Sequence, residues 1–406
     1  MSSTAGASTY SKSENRFPSE YPKIAKRAFG CTIIDEHDNA YTDYTSSLGA
    51  ITLGYNRMEV NDAVISQINK GNIFSIISDI EPIAGDFITE YTKTEKCLFL
   101  KTGTDSTNAA IKLSRAFTGN DKILFCSNGY HGWGDWFGAS QPISKGTPFN
   151  NKSDISSFKY DDLNSLESAL IEHHPGTVIM EPIVSDYPTT KDYLNKVVSL
   201  VHDYNALLIS DEMVAFPRSG EDLFFKQHCV DADLYCIGKG ISNGYSFSAV
   251  VGNGDILKQR QNEEVFISGT MFGETIGMVA AMKTLEIANQ KNLSGHIWKM
   301  GSLLQEKFNN LAEEKNVPIS LYGLAPRLIF KYPDNNIKSL FLQETANQRL
   351  IFGNIVYCNM SHTQKVIDDT IKKCDEVLDN IALAIENDTV EESIIGRLGR
   401  DLSLRK

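Results

Sequence analysis

The sequence lacks the patterns that mark secreted, membrane-spanning or zinc-binding proteins. Its seven cysteines are scattered singly, with no CxxC motif and an odd count, so neither a disulfide framework nor a zinc site is indicated. No apolar run approaches the roughly 20 residues that cross a bilayer. The N-terminus, residues 1–13, is polar and lacks the apolar core of a secretory signal. We therefore expect a cytoplasmic protein with no membrane partner.

Positive charge is also scarce. The chain has 39 Lys and Arg against 51 Asp and Glu, a formal net charge of −12, which argues against nucleic acid as a main partner. The eight histidines show no metal-ligand spacing. His173 and His174 precede a Pro-Gly pair and are typical of a helix end with its turn. They are poorly placed to share a metal ion, because adjacent helical side chains do not face the same way. We expect no metal site.

The 406 residues suffice for one large or two modest domains, and hydrophobic patterning suggests where they divide. We expect a flexible arm over 1–28, a small α+β domain built from 29–60 and 293–387, a large domain over 61–292, and a tail over 388–406. In the large domain, apolar runs alternate with helix-like stretches, and the predicted strands are 97–100, 123–126, 177–180, 207–210, 234–237 and 249–251. This pattern predicts an α/β fold with a mostly parallel sheet covered by helices on both faces. Ligands of such sheets bind beyond the carboxyl ends of the strands.

Two of these runs end on residues with chemical potential. One ends on Asp211, and the next ends on Lys239, which lies between two glycines. A pyridoxal-phosphate enzyme needs such a pair, because a lysine forms the Schiff base and an acid pairs with the pyridinium nitrogen. The rest of the sequence argues against the alternative, in which Lys239 is an ordinary surface lysine.

Several further segments suit the same cofactor, although each has a simpler interpretation. Gly103 and Thr104 follow a predicted strand and open a helix, where a phosphate binds favourably; an ordinary helix cap gives a similar pattern. Tyr130 could lie flat on a planar ring or belong to an aromatic surface loop. Thr270 offers a hydroxyl to phosphate or caps the following helix, and Met213 could cover one ring face.

Taken in order, these segments resemble the class III (subgroup II) aminotransferases, and most of all their glutamate-1-semialdehyde aminomutase branch. The resemblance covers about residues 28–385. It is carried by the segments 43–50, 53–55, 102–106, 129–132, 180–182, 209–212, 238–240, 268–270 and 360–363.

The resemblance implies a fold-type I pyridoxal-phosphate enzyme that works as a homodimer with shared active sites. It implies that Lys239 forms the Schiff base and that Asp211 pairs with the pyridine nitrogen. The other residues implied to contact or support the cofactor are Gly103 and Thr104 at the phosphate, Tyr130 stacked on the ring, His131, Met213 at the other ring face, Glu181, and Thr270, which reaches the phosphate of the partner subunit's cofactor.

The sequence also departs from the aminomutase pattern. The segment 129–132, which contains Tyr130, is followed only by the short stretch 133–146, where the aminomutases carry a long segment that gates the site. In addition, Glu274-Thr275 stands where many relatives have Asn-Pro. A short gate favours an aminotransferase that exchanges an amino donor and a carbonyl acceptor through pyridoxamine phosphate. Variants of this kind resemble aminotransferases of specialised or polysaccharide-related biosynthesis. The alternatives are a 2,1-aminomutase, another reaction at Cα such as decarboxylation, and a non-catalytic binding protein. Arg16, Arg218 and Arg349 are candidate substrate anchors.

Overall fold

The computed structural model describes residues 7–148, 153–183 and 189–399. In chain order, its strands are β1 (Ala25–Phe29), β2 (Thr32–Asp35), β3 (Ala40–Asp43), β4 (Lys96–Leu100), β5 (Ile123–Cys126), β6 (Ile155–Phe158), β7 (Thr177–Met180), β8 (Leu207–Asp211), β9 (Leu234–Gly238), β10 (Ser248–Gly252), β11 (Ser320–Leu324), β12 (Arg327–Lys331), β13 (Leu350–Ile351) and β14 (Ile355–Val356). The α-helices are α1 (Ser46–Gly49), α2 (Met58–Ile68), α3 (Ile80–Thr92), α4 (Gly103–Thr118), α5 (Asp135–Gly138), α6 (Leu163–His173), α7 (Lys191–Asp203), α8 (Phe224–Gln227), α9 (Gly254–Gln261), α10 (Thr275–Gln290), α11 (Leu293–Glu314), α12 (Asn335–Asn347) and α13 (Gln364–Glu386).

The described residues form two compact units. One comprises the described parts of Met1–Arg57 and Gly295–Ser403, and the other those of Met58–Ser294. None of the helices in the described ranges is both long enough and apolar enough to cross a bilayer.

The larger unit is built on a seven-stranded sheet in the order β4-β10-β9-β8-β7-β5-β6. Strand β10 runs antiparallel to β9 and β4, whereas the pairs β5–β6, β5–β7, β7–β8 and β8–β9 are parallel. The prediction of a mostly parallel sheet is therefore confirmed. Strands β5, β7, β9 and β10 are buried at every residue, which explains why they appear in the sequence as continuous apolar runs.

Helix α4 packs on this sheet and positions much of the site. It begins with a capping box: the Thr102 hydroxyl accepts a hydrogen bond from the Asp105 main chain, and the Asp105 carboxylate accepts one from the Thr102 N–H. It ends at Gly119, whose φ of 65° reverses the chain. Its buried side chains, such as Ile111 and Leu113, join the core formed by the sheet strands.

The smaller unit contains two sheets, β1-β2-β3-β13 and β11-β12-β14. Strands β2 and β3 form a hairpin whose turn contains Asp38 and Asn39, and Asp38 adopts a positive φ of 63° there. The core of this unit is largely aromatic and aliphatic, with Tyr44, Phe308 and Phe341 fully buried.

Residues 7–28, which the sequence analysis assigned to a flexible arm, are instead folded against the smaller unit. The Tyr21 ring is buried and stacks on Phe17, and its hydroxyl donates to the Phe352 carbonyl. Arg397, from the predicted tail, donates through its guanidinium to Asn15. The Ser-rich composition of the arm hid these anchoring contacts, which lie more than 300 residues apart in sequence.

Candidate active site

The predicted site residues other than Thr270 lie at or just beyond the carboxyl ends of strands in the larger unit, and Met213 is two residues past the end of β8. Since β10 is antiparallel to both β4 and β9, the strands β4, β5, β7, β8 and β9 all point the same way and their carboxyl ends share one edge of the sheet. That edge carries Gly103 and Thr104 after β4, Tyr130 and His131 after β5, Glu181 after β7, Asp211 at the end of β8, and Lys239 after β9.

Lys239 has an unfavourable backbone conformation. Strand β9 ends at Gly238, and Lys239 begins a short 3-10 turn that runs to Ser242. Its φ is +49°, in the left-handed region that costs a non-glycine residue of order 1–3 kcal/mol. Such strain persists only where the surrounding structure enforces it, and here the flanking strand and the turn do so.

Asp211 and His131 form a buried pair. The His131 Nδ1 lies 2.7 Å from the Asp211 Oδ2, and the side chains are 0% and 2% exposed. The other carboxylate oxygen, Oδ1, accepts a hydrogen bond from the Met213 N–H at 3.2 Å. The His131 Nε2 is buried and has no hydrogen-bond partner among the described residues. Because a carboxylate only accepts hydrogen bonds, the His131 Nδ1 is the donor in this pair.

The beginning of α4 forms a cradle for an anion. Within the described ranges, the main-chain N–H groups of Gly103 and Thr104 make no hydrogen bond, and they stand at the positive end of a 16-residue helix. Gly132 packs against this cradle: at its φ of 96°, a Cβ atom would lie 2.5 Å from the Thr104 Oγ1. The Trp133 N–H also points at this hydroxyl, at 3.4 Å. These features suit a phosphate group.

The Met213 side chain lies next to both Gly103, in the cradle, and Gly238, which precedes Lys239. A Cβ atom on Gly103 would lie 3.3 Å from the Met213 Sδ, and one on Gly238 would lie 2.6 Å from it. The buried thioether therefore fills the space between the phosphate cradle and the residue that precedes Lys239.

Glu181 holds the loop that carries Tyr130. Its Oε1 accepts a hydrogen bond from the Tyr130 N–H at 2.9 Å, and its side chain is buried. The Tyr130 ring contacts Phe137 edge-on, with the ring centroids 6.1 Å apart. Glu181 thus fixes the main chain of the aromatic loop.

Two residues to which the sequence motifs assigned no role, Thr107 and Glu212, support the site. The Thr107 hydroxyl donates to the His131 carbonyl at 2.7 Å, and its position one turn after Gly103 on α4 was the available signal. Glu212 is fully buried beside Asp211 and accepts hydrogen bonds from Ser210 and the Phe224 N–H. Thr270, by contrast, lies in an exposed turn, and the described contacts do not join it to the other predicted residues.

The residues at this edge fit a cofactor with three parts. The cradle at Gly103 and Thr104 suits a phosphate, the buried Asp211 suits a ring nitrogen that must stay protonated, and Lys239 suits an aldehyde. Fold and site together define a pyridoxal-phosphate-dependent enzyme.

Comparison with known proteins identifies the family. The profile described as aminotransferase class-III matches residues 15–381. The 3-aminobutyryl-CoA aminotransferase of Cloacimonas acidaminovorans is 31% identical over 384 residues, covering 90% of this chain and 91% of that protein. The glutamate-1-semialdehyde 2,1-aminomutase of Methanothrix thermoacetophila is 30% identical over 387 residues, covering 87% and 89%. The chain belongs to the class III aminotransferases.

A solved structure shows the same fold. The FumI protein of Sphingopyxis sp. MTA144, in its pyridoxal-phosphate form, superimposes with a TM-score of 0.87 over 92% of each chain at 22% identity. The fold-type I assignment, the aminotransferase activity and the cofactor expected from the sequence are thereby confirmed.

Proposed function

We propose that this aminotransferase works in two half-reactions on separate substrates, an amino donor and a carbonyl acceptor, with Lys239 and Asp211 as its catalytic residues. Two observations carry the proposal: the strained Lys239 directly follows β9, and the buried Asp211, paired with His131, ends the adjacent parallel strand β8. A lysine and an acid placed in this way are the two groups that the cofactor requires from a protein.

Bound pyridoxal phosphate supplies an electron-withdrawing ring that stabilises a carbanion at the substrate's amine-bearing carbon. The Nζ of Lys239 would hold the cofactor, and the same amine would move a proton between the substrate's amine-bearing carbon and the cofactor. The Asp211 carboxylate, oriented by His131, keeps a proton on the ring nitrogen. Gly103 and Thr104 hold the phosphate through their main-chain N–H groups.

The segment after Trp133 supports separate substrates rather than an intramolecular mutase. It folds into the short helix α5, with Trp136 and Phe137 buried and the Trp136 indole N–H bonded to Asn108 at 2.7 Å. A mutase must retain its intermediate between half-reactions, whereas a segment anchored by two aromatic side chains is poorly suited to act as a movable gate. The keto product of the amino donor could then leave and a carbonyl acceptor could enter.

The holoenzyme mixed with an amino donor alone tests this proposal. We expect one equivalent of keto product per active site and conversion of the bound cofactor to its amino form, which a carbonyl acceptor then reverses. The variant Lys239→Ala should lose turnover, while Lys283→Ala, which removes a half-buried lysine on α10, should keep it. Formation of an isomer without any acceptor would identify a mutase, and carbon dioxide release would identify a decarboxylase.

The amine substrate is proposed to need no carboxylate on its amino-bearing carbon. The arginines of the larger unit are engaged with main-chain carbonyls: Arg115 donates to Asp121, Arg218 to Val214 and Arg260 to Ile267. Arg218 is also fully buried, which weakens its candidacy as a substrate anchor. By its name, the relative 3-aminobutyryl-CoA aminotransferase acts on a substrate whose amino group is on carbon 3, away from the acyl carbon. In a panel of amino donors, the enzyme should convert 3-amino acids or simple amines best. If it converted only α-amino acids, this proposal would be rejected.

A homodimer with shared active sites is the proposed assembly. Ile76 and Ile77 are 84% and 78% exposed, and their segment is joined to the Thr270 turn by the Thr275 N–H, which donates to the Asn72 carbonyl. Exposed apolar side chains of this kind are typical of a covered interface. We propose that Thr270 reaches the phosphate of the partner subunit's cofactor.

The variant Ile76→Glu/Ile77→Glu should lower the molecular mass in solution and weaken cofactor binding. Ile171→Glu, at a 52% exposed position on α6, serves as the matched control. Unchanged mass in both variants would contradict the interface.

The cytoplasm is the proposed compartment because all seven cysteines are free thiols. A role in specialised biosynthesis is also proposed.

A further inference from the structure

A partly buried ion pair lies beside the proposed phosphate site. The Lys101 Nζ is 2.5 Å from the Glu274 Oε2, and the two side chains are only 12% and 14% exposed. The same ammonium donates a second hydrogen bond to the Glu274 main-chain carbonyl at 3.0 Å. Because the ammonium holds both the side chain and the main chain of Glu274, the contact constrains the position of the chain at that residue.

The pair connects the beginnings of two long helices. Lys101 directly precedes Thr102, the N-cap of α4, whose first residues are Gly103 and Thr104. Glu274 is the N-cap of α10, and its Oε1 accepts a hydrogen bond from the Ile276 N–H at 2.7 Å. One carboxylate therefore caps α10 with one oxygen and binds Lys101 with the other.

The main chain around Lys101 is fixed on both sides. The Ser246 hydroxyl donates to the Lys101 carbonyl at 3.1 Å, and the Ser248 hydroxyl donates to the Thr102 carbonyl at 2.7 Å. Thr270 lies four residues before Glu274, in a turn closed by the Phe272 N–H, which donates to the Gly269 carbonyl. The overlapping next turn is closed by the Glu274 N–H, which donates to the Met271 carbonyl. A displacement at Glu274 would thus be transmitted to the turn that carries Thr270.

Charge gives the pair a second role. Both helix beginnings are positive, so an isolated ammonium there would be disfavoured and an isolated carboxylate would repel a bound phosphate. Paired, the two groups neutralise each other and leave the cradle at Gly103 and Thr104 available to an anion. The pair is also shielded from water, so solvent ions screen its attraction less than that of an exposed ion pair.

We propose that Lys101 and Glu274 are positioning residues that hold the α4 cradle and the Thr270 turn in register for phosphate binding. This inference rests on the proposed function, in which the cradle binds the phosphate of one cofactor and Thr270 that of the partner subunit. Neither side chain is assigned a contact with substrate or ring.

The test compares two ligands that differ only in the phosphate. Apo forms of the wild type, Lys101→Met, Glu274→Gln and the double variant are titrated with pyridoxal phosphate and with pyridoxal. Each single variant should weaken pyridoxal phosphate binding by about tenfold and leave pyridoxal binding unchanged. The double variant should be no weaker than the single ones, because the two residues act as one unit. Glu274→Gln keeps an oxygen for the α10 cap, so it tests the pair without losing the helix end.

Lys283→Met, which breaks the half-buried pair with Glu286 away from the site, is the control and should change neither affinity. Equal weakening of both ligands, additive effects in the double variant, or unchanged pyridoxal phosphate affinity would each overturn the inference. Failure of the proposed function is seen separately, in a wild type whose cofactor an amino donor does not convert to the amino form.

Discussion

The His131 imidazole donates from Nδ1 to the Asp211 carboxylate over 2.7 Å, in a setting from which water is almost completely excluded. Phe137 contacts the imidazole edge-on, with ring centroids 5.3 Å apart, and Thr107 holds its main-chain carbonyl. The histidine can therefore hardly rotate. Its effect is to fix which oxygen of Asp211 remains available to a ring nitrogen.

Replacement of His131 by leucine should lower kcat by about tenfold or more with a smaller change in KM, because Asp211 would lose the donor that orients it. His131→Gln supplies an amide donor of similar reach and should recover part of the rate. The measurement is the steady-state rate of both half-reactions, with cofactor content determined in parallel. Equal activity in the leucine variant and the wild type would contradict an orienting role.

A methyl group at Gly132 should damage the phosphate cradle. Its Cβ would lie 2.5 Å from the Thr104 Oγ1 and 3.0 Å from the Thr104 Cα, which is main chain and cannot move aside easily. We expect Gly132→Ala to weaken cofactor binding by about tenfold or more, a loss of over about 1.4 kcal/mol. The measurement is titration of the apoenzyme with pyridoxal phosphate.

Gly146→Ala separates backbone strain from steric conflict. Gly146 has nearly the same φ, 94° against 96°, but a Cβ there would meet no atom within 4 Å. Both variants should lose about 1 kcal/mol of stability from the positive φ, and only Gly132→Ala should lose cofactor affinity. Equal losses of affinity would show that the conflict with Thr104 is not the cause.

Much of the larger unit could be predicted from the sequence because its strands are continuous apolar runs. All six predicted strands match observed ones within one residue at each end, and β5 and β7 match fully. The chemistry at their ends was predicted for the same reason: a polar residue that follows a buried run stands out. The hairpin at Asp38-Asn39 carried its own turn signal.

What the sequence did not reveal depends on contacts between distant residues. Strand β6 begins just after a polar stretch and has no apolar run, and α12 buries Lys338 and Gln343 among its apolar residues, which obscures its helical pattern. The Lys101–Glu274 pair joins residues 173 positions apart, and no local sequence pattern predicts it. Likewise, the contacts that fix residues 7–28 are made by chain segments from the other end of the sequence.

Gly238→Ala should be partly rescued by shortening Met213. The added Cβ would lie 2.6 Å from the Met213 Sδ, a flexible atom, and 3.2 Å from the Ser248 Cβ. Alone, the substitution should push the thioether toward Gly103 and cost about 1–3 kcal/mol of stability. Met213→Ala should cost about 2–5 kcal/mol through the cavity it leaves.

Because the new methyl group occupies part of that cavity, the double variant should be more stable than the sum of the single losses predicts. Thermal unfolding of all four proteins in a double-mutant cycle provides the measurement. Strict additivity would place the conflict at Ser248 instead of Met213.

Glu212 should make the stability of the fold pH-dependent. Burial raises the pKa of this carboxyl from 4.5 to about 7, against the hydrogen bonds from the Phe224 N–H and the Ser210 hydroxyl, which act to lower it. The folded protein thus holds a proton on Glu212 that the unfolded chain releases near pH 4.5. The stabilising contribution is fully present below about pH 4.5 and is lost as the pH rises through about 7.

Over that interval, the contribution of Glu212 to the free energy of unfolding should fall by about 3 kcal/mol. Glu212→Gln keeps an oxygen for the same two donors but cannot ionise, so its stability should not carry this term. Unfolding of both apoproteins at pH 5 and pH 8 makes the comparison, and other titrating groups cancel in the difference. We expect the glutamine variant to gain on the wild type as the pH rises; a constant difference would mean that Glu212 is already ionised in the folded protein at pH 5.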